Sequence, residues 1–173
     1  GSYHALLVGA DGELFALGTG STGQLGCAAS SGIRPRCTLT LTPRQAASLL
    51  YFNGDGGRNF QDYGMDLRAY AVRVPLPDGA KAAQPACGIY HSAVLTTGGH
   101  VFTFGRGANG ALGHGIDDDE LVPRRVEFFS EGGATCIIAG GLFTIVQCKE
   151  GNAYGFGSFS PGFATSGMPM SLE

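Results

Sequence analysis

The 173-residue sequence contains no tryptophan and few charged side chains. Asp, Glu, Lys and Arg make up 14% of it, against roughly 25% in an ordinary soluble protein, which excludes a charge-rich helical bundle or coiled coil. The net charge of −3 provides no general attraction for nucleic acid or for an anionic membrane. No apolar run approaches the ~20 residues of a transmembrane helix. We therefore expect neither a nucleic-acid partner nor a membrane.

The 5 cysteines form no recognisable site. They are widely spaced, without a Cys-x-x-Cys pair or a Cys/His spacing typical of zinc. Free thiols indicate a reducing compartment, so we expect an intracellular protein, cytoplasmic or nuclear, with no metal and no cofactor. Gly1-Ser2 and Leu172-Glu173 resemble cloning-derived ends, which predicts a fragment of a longer chain.

Glycine is abundant instead, at 30 positions, and many of these glycines belong to a repeat. Residues 3–18 align without a gap with residues 90–105, at an offset of 87. A third copy follows 52 positions after the second and ends at Gly157. Because the offset between the first two copies is 87 and that between the last two is 52, the first copy carries about 35 extra residues. We predict one propeller domain over 1–173, with repeats at about 3–43, 83–134 and 135–162 and an insertion at about 44–70.

Each period of 52 residues predicts four short strands. His91–Thr96 and Val101–Phe104 are apolar and flank a Gly98-Gly99 turn, which predicts a β-hairpin. Pro123–Phe129 and Thr135–Ala139 predict two more strands. Four short apolar strands per repeat are typical of a propeller blade. We predict an all-β fold, a partial β-propeller of about three four-stranded antiparallel blades with one inserted loop or short helix.

Three stretches of the second repeat carry a specific pattern: Cys87–Leu95, Gly99–Gly115 with its glycine-rich tail, and Pro123–Val126. Together they resemble the repeat of the regulator of chromosome condensation family. The family's ring of seven blades implies that three blades, the first without its innermost and the last without its outermost strand, cannot close. The lack of tryptophan argues against the family's ultraviolet-sensing members, whose chromophore is that residue.

Several repeat positions are expected to be structural. His4 and His91 share a position at the start of a strand that should face the next blade, and no nucleophile recurs beside them, so we predict no catalytic residue. The glycines that are expected to need positive φ or close backbone approach are Gly18, Gly105, Gly113 and Gly157. The acidic run 117–120 is expected to be a solvated surface.

The insertion is the candidate recognition surface. Thr42-Pro43-Arg44-Gln45 predicts a short helix over residues 43–50. Exposed aromatic side chains beside arginine are favoured at protein contact surfaces. The candidate partner-binding residues are Arg58, Phe60, Tyr63, Arg68 and Tyr70. The alternative is that this loop packs over its own blade.

The sequence therefore predicts a protein–protein interaction module, a scaffold that is not an enzyme. The resemblance implies one alternative, a guanine-nucleotide exchange factor for a Ran-like small GTPase. Another alternative is a half-propeller that self-associates as an assembly element. The expected partner is another protein, with a small GTPase, a second copy of the chain or the remaining blades of a parent propeller as candidates.

Overall fold

The computed structural model describes residues 1–18, 22–27, 71–160, 163–164 and 167–172. Within these ranges the strands form three antiparallel sheets. Sheet one contains β1 (His4–Val8), β2 (Leu14–Gly18) and β3 (Val72–Val74). Sheet two contains β4 (Ala82–Cys87), β5 (His91–Thr96), β6 (Val101–Gly105) and β7 (Glu120–Arg125). Sheet three contains β8 (Ala134–Ala139), β9 (Leu142–Cys148), β10 (Ala153–Ser160), β11 (Phe163–Ala164) and β12 (Met170–Ser171).

The three sheets share one pairing register. In each sheet the first residue of the repeated hairpin pattern lies opposite the glycine that closes the hairpin. These pairs are His4 with Gly18, His91 with Gly105, and Phe143 with Gly157. The repeated hairpin therefore has the same register in each blade, and the chain is a partial β-propeller.

The extra residues of the first repeat enter the chain between β2 and β3. Ala16 pairs with Val72 in sheet one, as Thr103 pairs with Arg124 in sheet two. Equivalent residues are thus offset by 87 before this connection and by 52 after it. The helix predicted at 43–50 lies outside the described residues.

Apolar side chains fill the two interfaces between sheets. Between sheets one and two these are Leu6, Leu14, Ala16, Val74, Ala82, Val94 and Phe104. Between sheets two and three they are Ala93, Leu95, Val101, Val126, Phe129, Ala134, Ile137, Val146 and Phe156. Both faces of the central sheet are covered, which explains why all six residues of β5 are buried and apolar alternation is weak there.

Two of the strand predictions are wrong. Sheet three has an outer strand, because β12 pairs with β10 and places Ser171 opposite Tyr154. The strand predicted at 123–129 runs instead over Glu120–Arg125, since Glu127–Phe129 turns into a 3₁₀ helix. Sheet one, in its described part, has no strand at the innermost place, as expected.

Candidate functional site

The structure locates the predicted structural positions but not the predicted contact residues. Arg58, Phe60, Tyr63, Arg68 and Tyr70 lie outside the described residues. The two repeat histidines and the repeat glycines, in contrast, lie at the interfaces between blades.

His4 joins sheet one to sheet two through a hydroxyl group. Its Nε2 lies 2.8 Å from Ser92 Oγ, and the Ser92 hydroxyl donates to the carbonyl of Gln24 at 2.7 Å. A carbonyl only accepts, so the serine proton points at Gln24 and Ser92 Oγ accepts from His4 Nε2–H. The other ring nitrogen, Nδ1, is buried and finds no partner among the described residues. His4 is thus the neutral Nε2–H tautomer.

His91 joins sheet two to sheet three in the same way. Its Nε2 lies 2.9 Å from Thr144 Oγ1, which donates to the carbonyl of Ala111 at 3.1 Å. Thr144 and Ala111 stand at the repeat positions of Ser92 and Gln24. Each blade interface therefore contains one chain of two hydrogen bonds, from histidine N–H to a hydroxyl and from that hydroxyl to a backbone carbonyl. We call this chain a relay.

Burial keeps these histidines neutral. His4 is 4% and His91 1% exposed, and desolvation by burial lowers the pKa of each from 6.5 to about 4. An imidazole whose N–H is committed to a hydroxyl is suited to fixing geometry. The prediction that these histidines face the neighbouring blade agrees with this arrangement.

A third relay lies within sheet two and was missed by the sequence. His114 Nε2 lies 3.0 Å from Thr103 Oγ1, and that hydroxyl donates to the carbonyl of Leu112 at 2.7 Å. Burial lowers the pKa of His114 to about 4. Thr103 has Ala16 and Gly155 at the equivalent positions, so no repeat signal pointed to it.

The hairpin-closing glycines are required by close backbone contact. Gly105 has a φ of 107°, and a Cβ there would lie 2.6 Å from the Tyr90 carbonyl oxygen. Gly18 and Gly157, at the same repeat position, have φ values of 109° and 101° and meet the equivalent backbone. A side chain at this position would strain the first pair of every hairpin.

Gly113 serves the contact between blades. A Cβ on it would lie 2.9 Å from the ring of Phe156 in the next sheet. Gly26, its counterpart in the first repeat, meets the ring of Phe104 in the same way. The last glycine in the tail of one blade thus packs directly against the hairpin aromatic ring of the next blade.

The acidic run is part of the blade and not only a solvated surface. Asp119 Oδ1 accepts from the Gly107 backbone N–H at 2.9 Å, and Asp117 Oδ1 accepts from Gly110 N–H at 2.7 Å. Glu120 pairs with Arg124 at 2.6 Å. The carboxylates of Asp117 and Asp119 thus accept from N–H groups of the glycine tail, while residues 117–119 remain exposed, as expected of a solvated surface.

An aromatic row crosses the first blade interface. Tyr3 and Tyr90, which share one repeat position, stack with ring centroids 5.4 Å apart. The guanidinium carbon of Arg106 lies 5.5 Å from the centroid of the Tyr90 ring. Tyr3 is 50% exposed. This row has the composition of a protein contact surface.

Metal and thiol chemistry receive no support from the described residues. They contain no group of three or more His, Cys, Asp and Glu side chains that could hold a metal ion. Cys27, Cys87, Cys136 and Cys148 are free, and burial raises the pKa of the Cys87 thiol. Among the same residues, no helix is long and apolar enough to cross a membrane.

Comparison with known proteins gives a family and a fold. The model of the regulator of chromosome condensation (RCC1) repeat matches residues 98–147. The chain is 32% identical to the probable E3 ubiquitin-protein ligase HERC3 of Homo sapiens, over 100% of this chain and 18% of that protein. The chain thus spans less than a fifth of this relative.

Solved structures show the same fold. Human WBSCR16 matches with a TM-score of 0.68 and 18% identity, over 99% of this chain and 37% of that chain. Prp20p from Saccharomyces cerevisiae, described with its binding properties to Gsp1p and histones, matches with a TM-score of 0.65 and 17% identity. That match covers 99% of this chain and 36% of Prp20p.

Proposed function

Because the chain belongs to the regulator of chromosome condensation repeat family, we propose that it is a protein-interaction module with no chemistry of its own. The observation that carries this proposal is that the histidine side chains are committed to hydrogen bonds within the fold. His4, His91 and His114 each donate to a hydroxyl that is itself bound to backbone. A neutral histidine committed in this way is poorly placed to transfer a proton. Recognition is therefore assigned to the surface.

The proposed contact residues are in the segment that the other repeats do not have. Arg58, Phe60, Tyr63, Arg68 and Tyr70 occur once in the chain, whereas the blade positions recur. The described strands that flank the segment are β2 and β3, and β3 is an edge strand of its sheet. A unique surface is a better candidate for a specific partner than a repeated one.

The test changes Phe60, Tyr63 and Arg68 to Ala and compares the proteins retained from a lysate by quantitative mass spectrometry. The triple variant is expected to melt like the parent and to lose partners, because central aromatic and arginine contacts contribute ~1–3 kcal/mol each. The matched control changes Leu121, Val122 and Arg124 to Ala on the exposed outer strand of sheet two. Equal retention by both variants, or unfolding of the first, would contradict the assignment.

Nucleotide exchange is the second candidate function. It is favoured by the likeness to Prp20p, which is described with its binding to Gsp1p. The test is the release rate of a fluorescent GDP analogue from a Ran-type GTPase, with and without the chain. Acceleration would replace the scaffold proposal, whereas an unchanged rate together with retained partners would support it.

A further inference from the structure

The glycine tail of sheet two contains an Asn-Gly pair, Asn109-Gly110, in a short 3₁₀ turn. Asn109 is exposed and has a φ of 61°, in the left-handed region that asparagine adopts more readily than most residues. Gly110 has no side chain, so its backbone nitrogen can approach the Asn109 side chain more closely than that of another residue could. The pair therefore has the composition and the exposure of a site for spontaneous chemistry.

The chemistry open to such a pair is deamidation. Hydroxide removes the proton of the Gly110 N–H, and the nitrogen attacks Cγ of Asn109. A C–N bond forms to the ring nitrogen of a succinimide, and the bond from Cγ to the side-chain nitrogen breaks. The leaving nitrogen takes a proton from water and departs as ammonia, which returns the hydroxide. Water then opens the succinimide at either carbonyl and leaves aspartate or isoaspartate.

Two acceptors hold the attacking nitrogen in the folded chain. The Gly110 N–H donates to the carbonyl of Gly107 at 3.0 Å and to Asp117 Oδ1 at 2.7 Å, and Gly110 is buried. The nitrogen can attack only after it leaves both acceptors and loses its proton. The carboxylate of Asp117 opposes that step too, because it disfavours a second negative charge on the nitrogen.

The same turn packs against sheet three, so its chemistry has a structural consequence. A Cβ on Gly110 would collide with Cα of Gly167, and the Gly115 N–H donates to the Gly167 carbonyl at 2.9 Å. Isoaspartate would lengthen the backbone by one methylene directly before Gly110. That extra atom would displace the tail from Gly167 and loosen the contact between sheets two and three.

We propose that Asn109-Gly110 is a modification site, and that Asp117 suppresses its deamidation in the folded chain. Water is the co-reactant, and aspartate or isoaspartate at position 109 is the product. The site reacts when the Gly110 N–H is released from the Asp117 carboxylate, by substitution of Asp117 or by opening of the tail.

The test follows Asn109 in the full chain during incubation at mildly alkaline pH. Trypsin cuts after Arg106 and Arg124, and the peptide between these cuts contains Asn109 as its single asparagine. Mass spectrometry therefore assigns the conversion to this residue. Asp117→Ala is expected to deamidate roughly three- to tenfold faster than the parent, because the N–H loses a charged acceptor.

Asp118→Ala is the matched control for Asp117→Ala. Asp118 belongs to the same exposed acidic run, but its side chain accepts no hydrogen bond within the described part of the chain. Its variant is expected to deamidate within about twofold of the parent, since the acceptors of the Gly110 N–H remain. If Asp117→Ala reacts no faster than Asp118→Ala, Asp117 does not suppress the reaction and the proposal is wrong.

The parent chain unfolded in urea provides the rate of the pair without the fold. The folded parent is expected to react about tenfold or more slowly at Asn109, and equal rates would overturn the proposal. Thermal melts followed by circular dichroism check that Asp117→Ala is folded. If it is not, Asp117→Asn replaces it, because this change keeps a side-chain acceptor and removes the charge. Fragment ions separate its two asparagines, and a rate at Asn109 no higher than that of the parent would contradict the role of the carboxylate.

Discussion

At the scale of the residue, the molecule depends on hydroxyl groups that accept from one partner and donate to another. Replacing Thr144 by Val keeps the shape of the side chain but removes the acceptor of His91 and the donor to Ala111. We expect the free energy of unfolding to fall by ~1–3 kcal/mol, since both orphaned groups remain buried. Urea denaturation at pH 7 measures this.

Thr135→Val is the matched control for Thr144→Val. Thr135 is an exposed strand residue whose hydroxyl also donates to a carbonyl, that of Gln147 at 3.1 Å. Water can replace that bond, so the change should stay within ~0.5 kcal/mol. An equal decrease in the free energy of unfolding of the two variants would show that the buried relay contributes no more to stability than an exposed hydrogen bond.

These relays were only half visible in the sequence. The repeat register placed His4 and His91 toward the next blade, because equal positions in a repeat take equal places. Their partners also recur, as Ser92 and Thr144 each follow the histidine position. Which hydroxyl meets which histidine ring depends on how two blades pack against each other. The sequence pattern of a single repeat carries no information on that packing.

At the scale of the element, strand order followed from the repeat but strand ends did not. The hairpin of β5 and β6 was predictable from its apolar segments and its glycine turn. The outer strand β12 contains only two residues and follows an irregular stretch, so it has no periodic pattern to detect. Glu127–Phe129 is apolar enough to resemble a strand, yet it forms a 3₁₀ helix. This helix places the ring centroid of Phe128 4.9 Å from that of Tyr154.

The glycine tail of sheet two is an element held by carboxylates. Asp119→Ala removes the acceptor of the Gly107 N–H, and Asp118→Ala, one residue away, removes no acceptor found in the described structure. We expect faster amide exchange at Gly107 and a loss of about 0.5–1.5 kcal/mol for Asp119→Ala. Hydrogen exchange followed by NMR compares the two variants. Unchanged protection of Gly107 in both would mean that the acidic run is only a solvated surface.

At the scale of the whole molecule, three histidines make stability depend on pH: His4 and His91 are buried and His114 is half-buried. Burial lowers the pKa of His4, His91 and His114 to about 4, whereas the unfolded chain has the ordinary value of 6.5. The unfolded state thus binds more protons between these values. Stability is fully present above pH 6.5 and is lost as the pH falls toward 4.

We expect the free energy of unfolding to drop between pH 7 and pH 5 by on the order of 1–2 kcal/mol for each of these histidines. His91→Gln tests the assignment, because glutamine does not titrate and its amide can still donate to Thr144. The variant should lose stability less steeply with falling pH than the parent, whatever its stability at pH 7. Denaturation curves at several pH values measure the slope, and parallel slopes in parent and variant would mean that His91 does not contribute to it.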